Sequence, residues 1–324
     1  MSGPHPYILN KEFSSLEEYC YAAKRWKLDF KKISGGKFSA KLKLLDYGII
    51  QIAETRIKGV IVQGADCPEN YRSIVIPGDE LQSFFWQNYS ISSDSLLVWP
   101  KNDSIVAVSK SNFHVYVISI HEEFFEELIK EKQLRTVYKK LNSNGFVYPI
   151  KRNFLLLINT FLASLFEDYF RNENRILESH HNYHTNKLPE ILLDYIDKND
   201  PAMMMKNPSK QVSAVIEFLN YYNTTAIPDT GVAEFCKMHQ VKQKTLELGI
   251  QEYFQASPVA VIRALKLNKA RKLFLQGPDT ISQVAKACGF NHMGQFSKDY
   301  QKLFMELPSE TVNGIFEVSK SFQT

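Results

Sequence analysis

The stretches TLELGIQEYF (residues 245–254) and QFSKDYQKLF (residues 295–304) decide the fold, because they are one pattern written twice. In the first, Leu246, Ile250, Tyr253 and Phe254 are followed by Pro258; in the second, Phe296, Tyr300, Leu303 and Phe304 are followed by Pro308. Apolar residues at i, i+4, i+7 and i+8 make one face of an α-helix. In each copy the proline stands where a new helix can begin. Upstream, residues 230–239 and 281–288 carry short helical patterns that match at an offset of 49, with Phe235-Cys236 facing Val284-Ala285. Each copy therefore reads as short helix, tight turn, second helix.

Asp229, and either Asp279 or Thr280, are the expected N-caps of the two first helices. Gly289 fits the left-handed position that ends the first helix of the second copy; Gln240 stands there in the first copy. The connector Pro258–Gln276 carries Arg263, Lys266, Lys269 and Arg271 on a helix-forming background. At 1.5 Å per residue it would be roughly 28 Å long. Second helices held that far apart match successive major grooves on one face of DNA, about 34 Å apart. Charge agrees. Residues 206–324 hold 14 Lys+Arg against 10 Asp+Glu, so the whole formal excess of +4 lies in the duplicated part. A phosphate-binding module requires such a bias.

The runs SPVAVIRALKLNKARKLF (257–274) and ISQVAKACGFNHMGQFSKDYQKLFMELPSET (281–311) resemble the DNA-binding domain of AraC/XylS-type transcription regulators. The similarity is closest to the branch containing the ethanolamine-operon regulator, which favours phrases such as GF-x-H-x-G-x-F and LFGELPSET. The family's glycine before "xxP" is Gln255 in the first copy and Met305 in the second. The resemblance implies double-stranded promoter DNA as partner, a homodimer, and RNA polymerase as a further partner if the protein is an activator. Base edges are read from the N-terminal residues of a recognition helix. That points to Lys242, Gln243, Lys244, Thr245 and Glu247 in the first copy. In the second it points to Asn291, His292, Met293, Gln295 and Lys298, with Gly294 permitting close backbone approach. Gln suits adenine, Lys suits guanine or phosphate, Glu247 suits cytosine N4, and Met293 suits a thymine methyl. The bland account of the same positions is a solvated polar helix face. Leu248 stands where some relatives carry a base-reading arginine.

Ahead of this part the texture is different. From 28 to 121 short β-rich runs (FSAKLKLL, GIIQIAET, SIVIPG, SLLVWP, FHVYVISI) are broken at Gly35-Gly36, Gly64, Cys67-Pro68, Pro77-Gly78 and Pro100. Many short strands at that spacing suggest an antiparallel barrel or sandwich. By resemblance this is the cupin-like sensory domain that often precedes an AraC-type module. A small-molecule effector would sit at the barrel mouth, with Arg56, Arg72, Trp86, Trp99 and Tyr116 as candidates. Each has an ordinary alternative as a core aromatic or a solvated arginine. The β region has only His114 and His121, without His-x-His, which argues against a catalytic metal barrel. His180, His181 and His184 lack a His-Glu-x-x-His arrangement and read as a polar helix end or loop. No catalytic residue, cofactor or metal site is therefore expected.

Residues 14–27 read as an amphipathic helix capped by Ser14 or Ser15. Residues 122–200 turn helical, and 151–172 are apolar nearly all round, which predicts burial on more than one side. By resemblance this helix supplies a dimer seam; simple core is the competing account. DKNDPAMMMKNPSK is punctuated by Asn, Asp and Pro and reads as a linker. The expected organisation is 1–200 sensory and dimerising, 201–210 linker, and 211–324 the double helix-turn-helix domain. The class is α+β: a cupin-like antiparallel β-barrel with flanking helices, then an all-α domain whose two helix-turn-helix units share a connecting helix. No apolar run is long enough to span a membrane, and the start lacks a basic-then-apolar leader. Cys20, Cys67, Cys236 and Cys288 lack a paired metal spacing and suit reduced thiols in a cytoplasmic protein. The expected function is a sequence-specific DNA-binding transcription regulator, an activator, whose N-terminal domain senses a small molecule, dimerises, or both. The alternatives are a regulator whose barrel only dimerises, or a cupin enzyme fused to a DNA-binding module.

Overall fold

A computed structural model describes residues 7–313, apart from 24, 82, 87–88, 100–103, 135, 138–139, 141–145, 172–177, 202–208, 224–228 and 278. Strands β1 (Tyr7–Phe13), β3 (Ser39–Asp46), β4 (Ile50–Lys58), β6 (Tyr71–Pro77), β9 (Ser95–Val98), β11 (Asn112–His121) and β12 (Phe146–Pro149) make one sheet. Its order is β1-β3-β4-β11-β6-β9-β12. Strands β2 (Lys27–Lys32), β5 (Ile61–Asp66), β7 (Ser83–Trp86), β8 (Tyr89–Ser92) and β10 (Ser104–Ser109) make a second, in the order β2-β5-β10-β7-β8. The ladders are antiparallel. The expected barrel is thus an open one: among the described residues no ladder joins the two sheets. Pro77-Gly78 ends β6, and β7, β8 and β9, of four residues each, are too short to carry register round from one sheet to the other.

Side chains alternate along each strand, and that alternation builds the layers. Leu42, Leu44, Ala53, Phe113 and Val115 of the larger sheet meet Ile61, Phe84, Trp86 and Ala107 of the smaller one in a shared core. On its other face the larger sheet turns Ile52, Ile74, Ile76, Ile118 and Ile120 toward helices. These are α2 (Glu122–Glu131), α3 (Arg152–Arg171) and α4 (Glu178–Lys198). Helix α2 stops at Glu131, and Gln133 just beyond it takes a left-handed φ of 54°. Helix α1 (Leu16–Ala22) is capped by Ser15, whose side chain accepts from Glu18 N–H. It ends earlier than expected because Leu28 and Phe30 alternate as a strand, with period two. Helix α3 also departs from expectation. Ile158, Leu162, Leu165, Phe166 and Tyr169 are buried, but Leu156 and Leu157 are 68% and 62% exposed. The residues expected to form the linker fall largely outside the described ones.

The C-terminal part consists of α5 (Lys210–Tyr222), α6 (Val232–Met238), α7 (Gln243–Phe254), α8 (Pro258–Gln276), α9 (Ile281–Ala287) and α10 (Met293–Phe304). The duplicated stretches are α7 and α10, and their repeated apolar positions lie together in one core with Phe235, Val261, Leu265 and Phe274. Pro258 opens α8 behind Ser257, which caps Ala260 N–H. Gln255 and Met305, standing where the family has glycine, both take the left-handed cap at φ 53° and 63°. A non-glycine residue there costs about 1–2 kcal/mol, which packing of the following helix offsets. Gln240 and Gly289 are left-handed as expected. Thr280 is the cap of α9 and forms a reciprocal capping box with Gln283. Asp229 is not a cap: Gly231 occupies that position before α6, and Asp229 pairs with Lys266 at 2.7 Å.

The smaller sheet also carries the helices. Ile33, Val60, Val62, Phe85 and Val108 join the core of the C-terminal part, and Phe85 stacks on Tyr253. Edge strand β2 is closed by α8. Asn268 accepts from Lys32 N–H at 2.9 Å and donates to Lys32 C=O at 2.7 Å. The Lys32 ammonium donates to Leu303 C=O at 2.6 Å, and burial, with the charge of Arg271 adding to it, pushes its pKa down to about 8. Arg271 bridges Glu17 of α1 (2.6 Å) and Glu306 (2.5 Å) and lies over the Phe304 ring.

Candidate nucleic-acid interface

The second helices, α7 and α10, start without a side-chain cap, behind Lys242 and His292. Their first-turn N–H groups point outward at the positive end of each helix dipole. Lys242, Gln243 and Lys244 are exposed, and Thr245 and Glu247 are half-buried. Gln243 donates to Glu247 at 2.9 Å, so these two candidates are one unit. Asn291, His292, Gln295 and Lys298 are exposed and Met293 is half-buried. Open space surrounds Gly294. Gln295 donates through Nε2 to Asp299 Oδ1 at 2.8 Å. The buried positions Leu246, Ile250, Phe296 and Tyr300 force this arrangement: once the apolar stripe faces the core, the intervening positions face out.

The connecting helix does not offer all its cations outward. Arg263 lies 3.5 Å from Asp299, and Lys266 is paired with Asp229 against Gly289. Gly289 takes a φ of 79°, a left-handed conformation that favours glycine. Arg271 is committed to Glu17 and Glu306 and serves packing. The partners of Arg263, Lys266 and Arg271 lie up to 254 positions away, and periodicity carries no signal of them.

The ligand candidates are scattered. Arg56 pairs with Glu54, Glu80 and Asp79. Arg72 forms a two-pronged pair with Glu122 and lies over Phe125. Tyr116 packs beneath the helices, on the far face of the larger sheet. His114 is sandwiched there between Glu54 and Asp79. Glu54 is held down to about 2: burial alone would raise it, and His114, Lys43 and Arg56 outweigh that. Trp86 fills the core between the sheets, edge-on to Trp99. Trp99 lines a cavity of about 80 Å³ between the sheets, with Trp26, Phe30, Gln63 and Val115. Gln63, Gln51 and Thr55 were not singled out in the sequence, because a polar residue at an inward strand position looks like any other polar residue. Trp99 Nε1 and Gln63 Nε2 are buried and find no acceptor among the described residues. Buried donors without partners are rare. The side chains of His180, His181 and His184 lie outside the described residues. Among the described residues no group of three or more His, Cys, Asp or Glu is placed to hold a metal.

A family model for a helix-turn-helix domain matches residues 235–314. The probable thc operon regulatory protein of Rhodococcus erythropolis is 22% identical over 122 residues, covering 36% of this chain and 37% of that protein. The HTH-type transcriptional regulator CdhR of Pseudomonas aeruginosa is 31% identical over 83 residues, covering 26% of this chain and 25% of that protein. A crystal structure of a probable AraC family transcriptional regulator from Rhodopseudomonas palustris is 25% identical, covers 32% of this chain and 97% of its own, and has a TM-score of 0.29. The two curated relatives are thus matched over about a quarter to two fifths of their length. The similarity thus defines a helix-turn-helix domain over residues 235–314, of the kind found in helix-turn-helix transcription regulators.

Proposed function

We propose that the chain is a sequence-specific, DNA-binding transcription regulator and not an enzyme, with residues 1–200 sensing and dimerising, 201–210 linking, and 211–324 contacting duplex promoter DNA. One observation carries the reading. Two helices of the same construction, each with an exposed polar N-terminal turn, are joined by a 19-residue helix. At 1.5 Å per residue that helix spans roughly 28 Å, close to the about 34 Å between successive major grooves. Lys242, Gln243, Lys244, Thr245 and Glu247 would enter one groove, and Asn291, His292, Met293 and Gln295 the next. Lys298, one turn further along α10, faces phosphate. The protein works in the cytoplasm as a homodimer, RNA polymerase is its partner if it activates, and it belongs to the AraC-type family, near the ethanolamine-operon regulator.

The test compares Gln295→Ala and Lys298→Ala on a panel of single-base promoter variants at two salt concentrations. Gln295→Ala should lose about 1–3 kcal/mol at the preferred base and relax the preference there. Lys298→Ala should weaken all sequences alike and make the salt slope shallower by roughly one. If Gln295→Ala leaves every relative affinity intact, this residue does not read sequence.

The two orphan donors in the inter-sheet cavity favour an effector-binding N-terminal part over one that only dimerises. The effector is apolar and carries a hydrogen-bond acceptor for Trp99 and Gln63. Of the sequence candidates, Trp99 lines this cavity. Heating the protein against a metabolite library tests this, since a ligand of the folded state raises the melting point. Gln63→Leu should abolish such a shift.

A further inference from the structure

Asp299 sits one helical turn beyond Gln295, with its side chain only 14% exposed. Its Oδ1 accepts from Gln295 Nε2 at 2.8 Å. Its Oδ2 is buried, takes no hydrogen bond from the described residues, and lies 3.5 Å from Nη1 of Arg263 on the connecting helix. A half-sequestered carboxylate beside a surface that meets phosphate is unfavourable on both counts. The duplicated scaffold does not call for it either. The matching position in the first copy is Gly249, where a Cβ would lie 2.7 Å from Val215 and 2.9 Å from the Gln211 carbonyl. A carboxylate in the second copy alone is a feature of that copy's surface.

We propose that Asp299 is a positioning residue for sequence readout, fixing which way the Gln295 amide faces, with Arg263 holding the carboxylate in place. The proposal rests on the reading that Gln295 contacts a base edge. A glutamine reads adenine by presenting its oxygen to N6–H and its nitrogen to N7 in a fixed sense. An amide free to flip exchanges donor for acceptor and loses that discrimination. An ionised carboxylate is acceptor-only, so it accepts the amide nitrogen and rejects the oxygen. Asparagine in its place offers both an acceptor and a donor and admits both senses. Arg263 balances the charge, so the carboxylate repels phosphate less than a bare one would.

Full-length wild type, Asp299→Asn, Asp299→Ser, Gln295→Ala and the Gln295→Ala/Asp299→Asn double variant are each measured on the duplex selected by wild type from a random library, and on all its single-base variants. Thermal midpoints show that each variant is folded, and the serine variant stands in should the asparagine one not fold. Asp299→Asn should relax preference about tenfold at the same base pair that Gln295→Ala relaxes, with overall affinity kept or tighter because a negative charge is gone. The double variant should relax it no further. A purely structural role predicts uniform weakening and an unchanged preference profile, and that result overturns the proposal. So does an intact profile at unchanged affinity. If Gln295→Ala itself leaves the profile intact, the base-reading role fails and this proposal with it. If Gln295→Ala relaxes the profile while the Asp299 variants do not, only the positioning role fails.

Discussion

Replacing Asn268 by Ala tests whether the sheets and the helical part are stabilised as one unit. Asn268 is buried and clamps both backbone groups of Lys32, with hydrogen bonds of 2.9 and 2.7 Å, and also donates to the Ala264 carbonyl at 2.7 Å. Alanine leaves the Lys32 N–H and C=O without these partners on the edge of β2. A hydrogen bond adds about 1 kcal/mol net, but a buried group left unpaired costs about 1–3 kcal/mol. Water reaching them from the adjoining cleft of about 410 Å³ relieves part of that. The expected loss is about 2–4 kcal/mol, above the roughly 1 kcal/mol typical of point substitutions. Urea unfolding should be followed by tryptophan fluorescence and by far-ultraviolet circular dichroism. The 3 tryptophans, Trp26, Trp86 and Trp99, all lie in the N-terminal part, whereas helix dominates the dichroism. Both midpoints should fall together. A loss below about 0.5 kcal/mol, within the range of ordinary surface substitutions, would refute the reasoning, as would a tryptophan midpoint that stays fixed while the dichroism moves.

Leu157→Asp, on the exposed side of α3, should give soluble monomers with weakened binding to a two-site promoter, because paired sites gain from linked binding; wild type sedimenting as a monomer at micromolar concentration ends the idea. Leu165→Asp, 1% exposed in the same helix, should instead fail to fold. Glu17 is held below the usual carboxylate range: burial would raise it, but the Arg271 hydrogen bond and charge outweigh burial. A depressed carboxylate contributes stability above its unfolded pKa and loses it as pH falls through the folded value. The melting-point advantage of wild type over Glu17→Gln should therefore be present at pH 7 and shrink below the ordinary carboxylate pKa; an advantage independent of pH disproves the pairing. Residues 206–324 alone should bind duplex DNA with steep salt dependence, since lysine contacts release counterions, and a constant unchanged from low to moderate salt counts against it.

The helix-turn-helix units were legible because their signal is local. Leu246, Ile250, Tyr253 and Phe254 sit within nine residues, and the second copy repeats the spacing. The β-rich runs were legible for the same reason. What escaped was set by distant partners. Asp229 looked like a cap until Lys266, 37 residues on, took its carboxylate. Strands β1 and β2 were missed because YILNKEF and KLDFKK alternate weakly, and their pairing with β3 and β5 fixes them. The greasy helix was read as buried on more than one side, yet Leu156 and Leu157 are exposed: composition gives the apolar content of a helix, and only its neighbours decide how many faces are covered. The cavity drew residues from many separate strands, so no single window of sequence held it.

The smaller sheet joins the proposed sensing and reading halves with no intervening layer. Ile61 and Gln63 face the space between the sheets, and their neighbours Val60 and Val62 belong to the core of the helical part. Along β10 the same holds for Ala107 and Val108. The cavity wall and the seat of the helices are therefore two faces of one strand layer. Interiors packed to crystal density pass displacement on instead of absorbing it. A molecule seated against Gln63 would press on the strand that carries Val62. At its edge that layer meets α8 through Asn268, and its Lys32 ammonium reaches the C-terminal end of α10 at Leu303. A register slip of one residue in β5 would put Gln63 into the helical core and Val62 into the cavity. The period-two alternation of β5 thus determines both what the cavity offers a ligand and what the duplicated helices rest on.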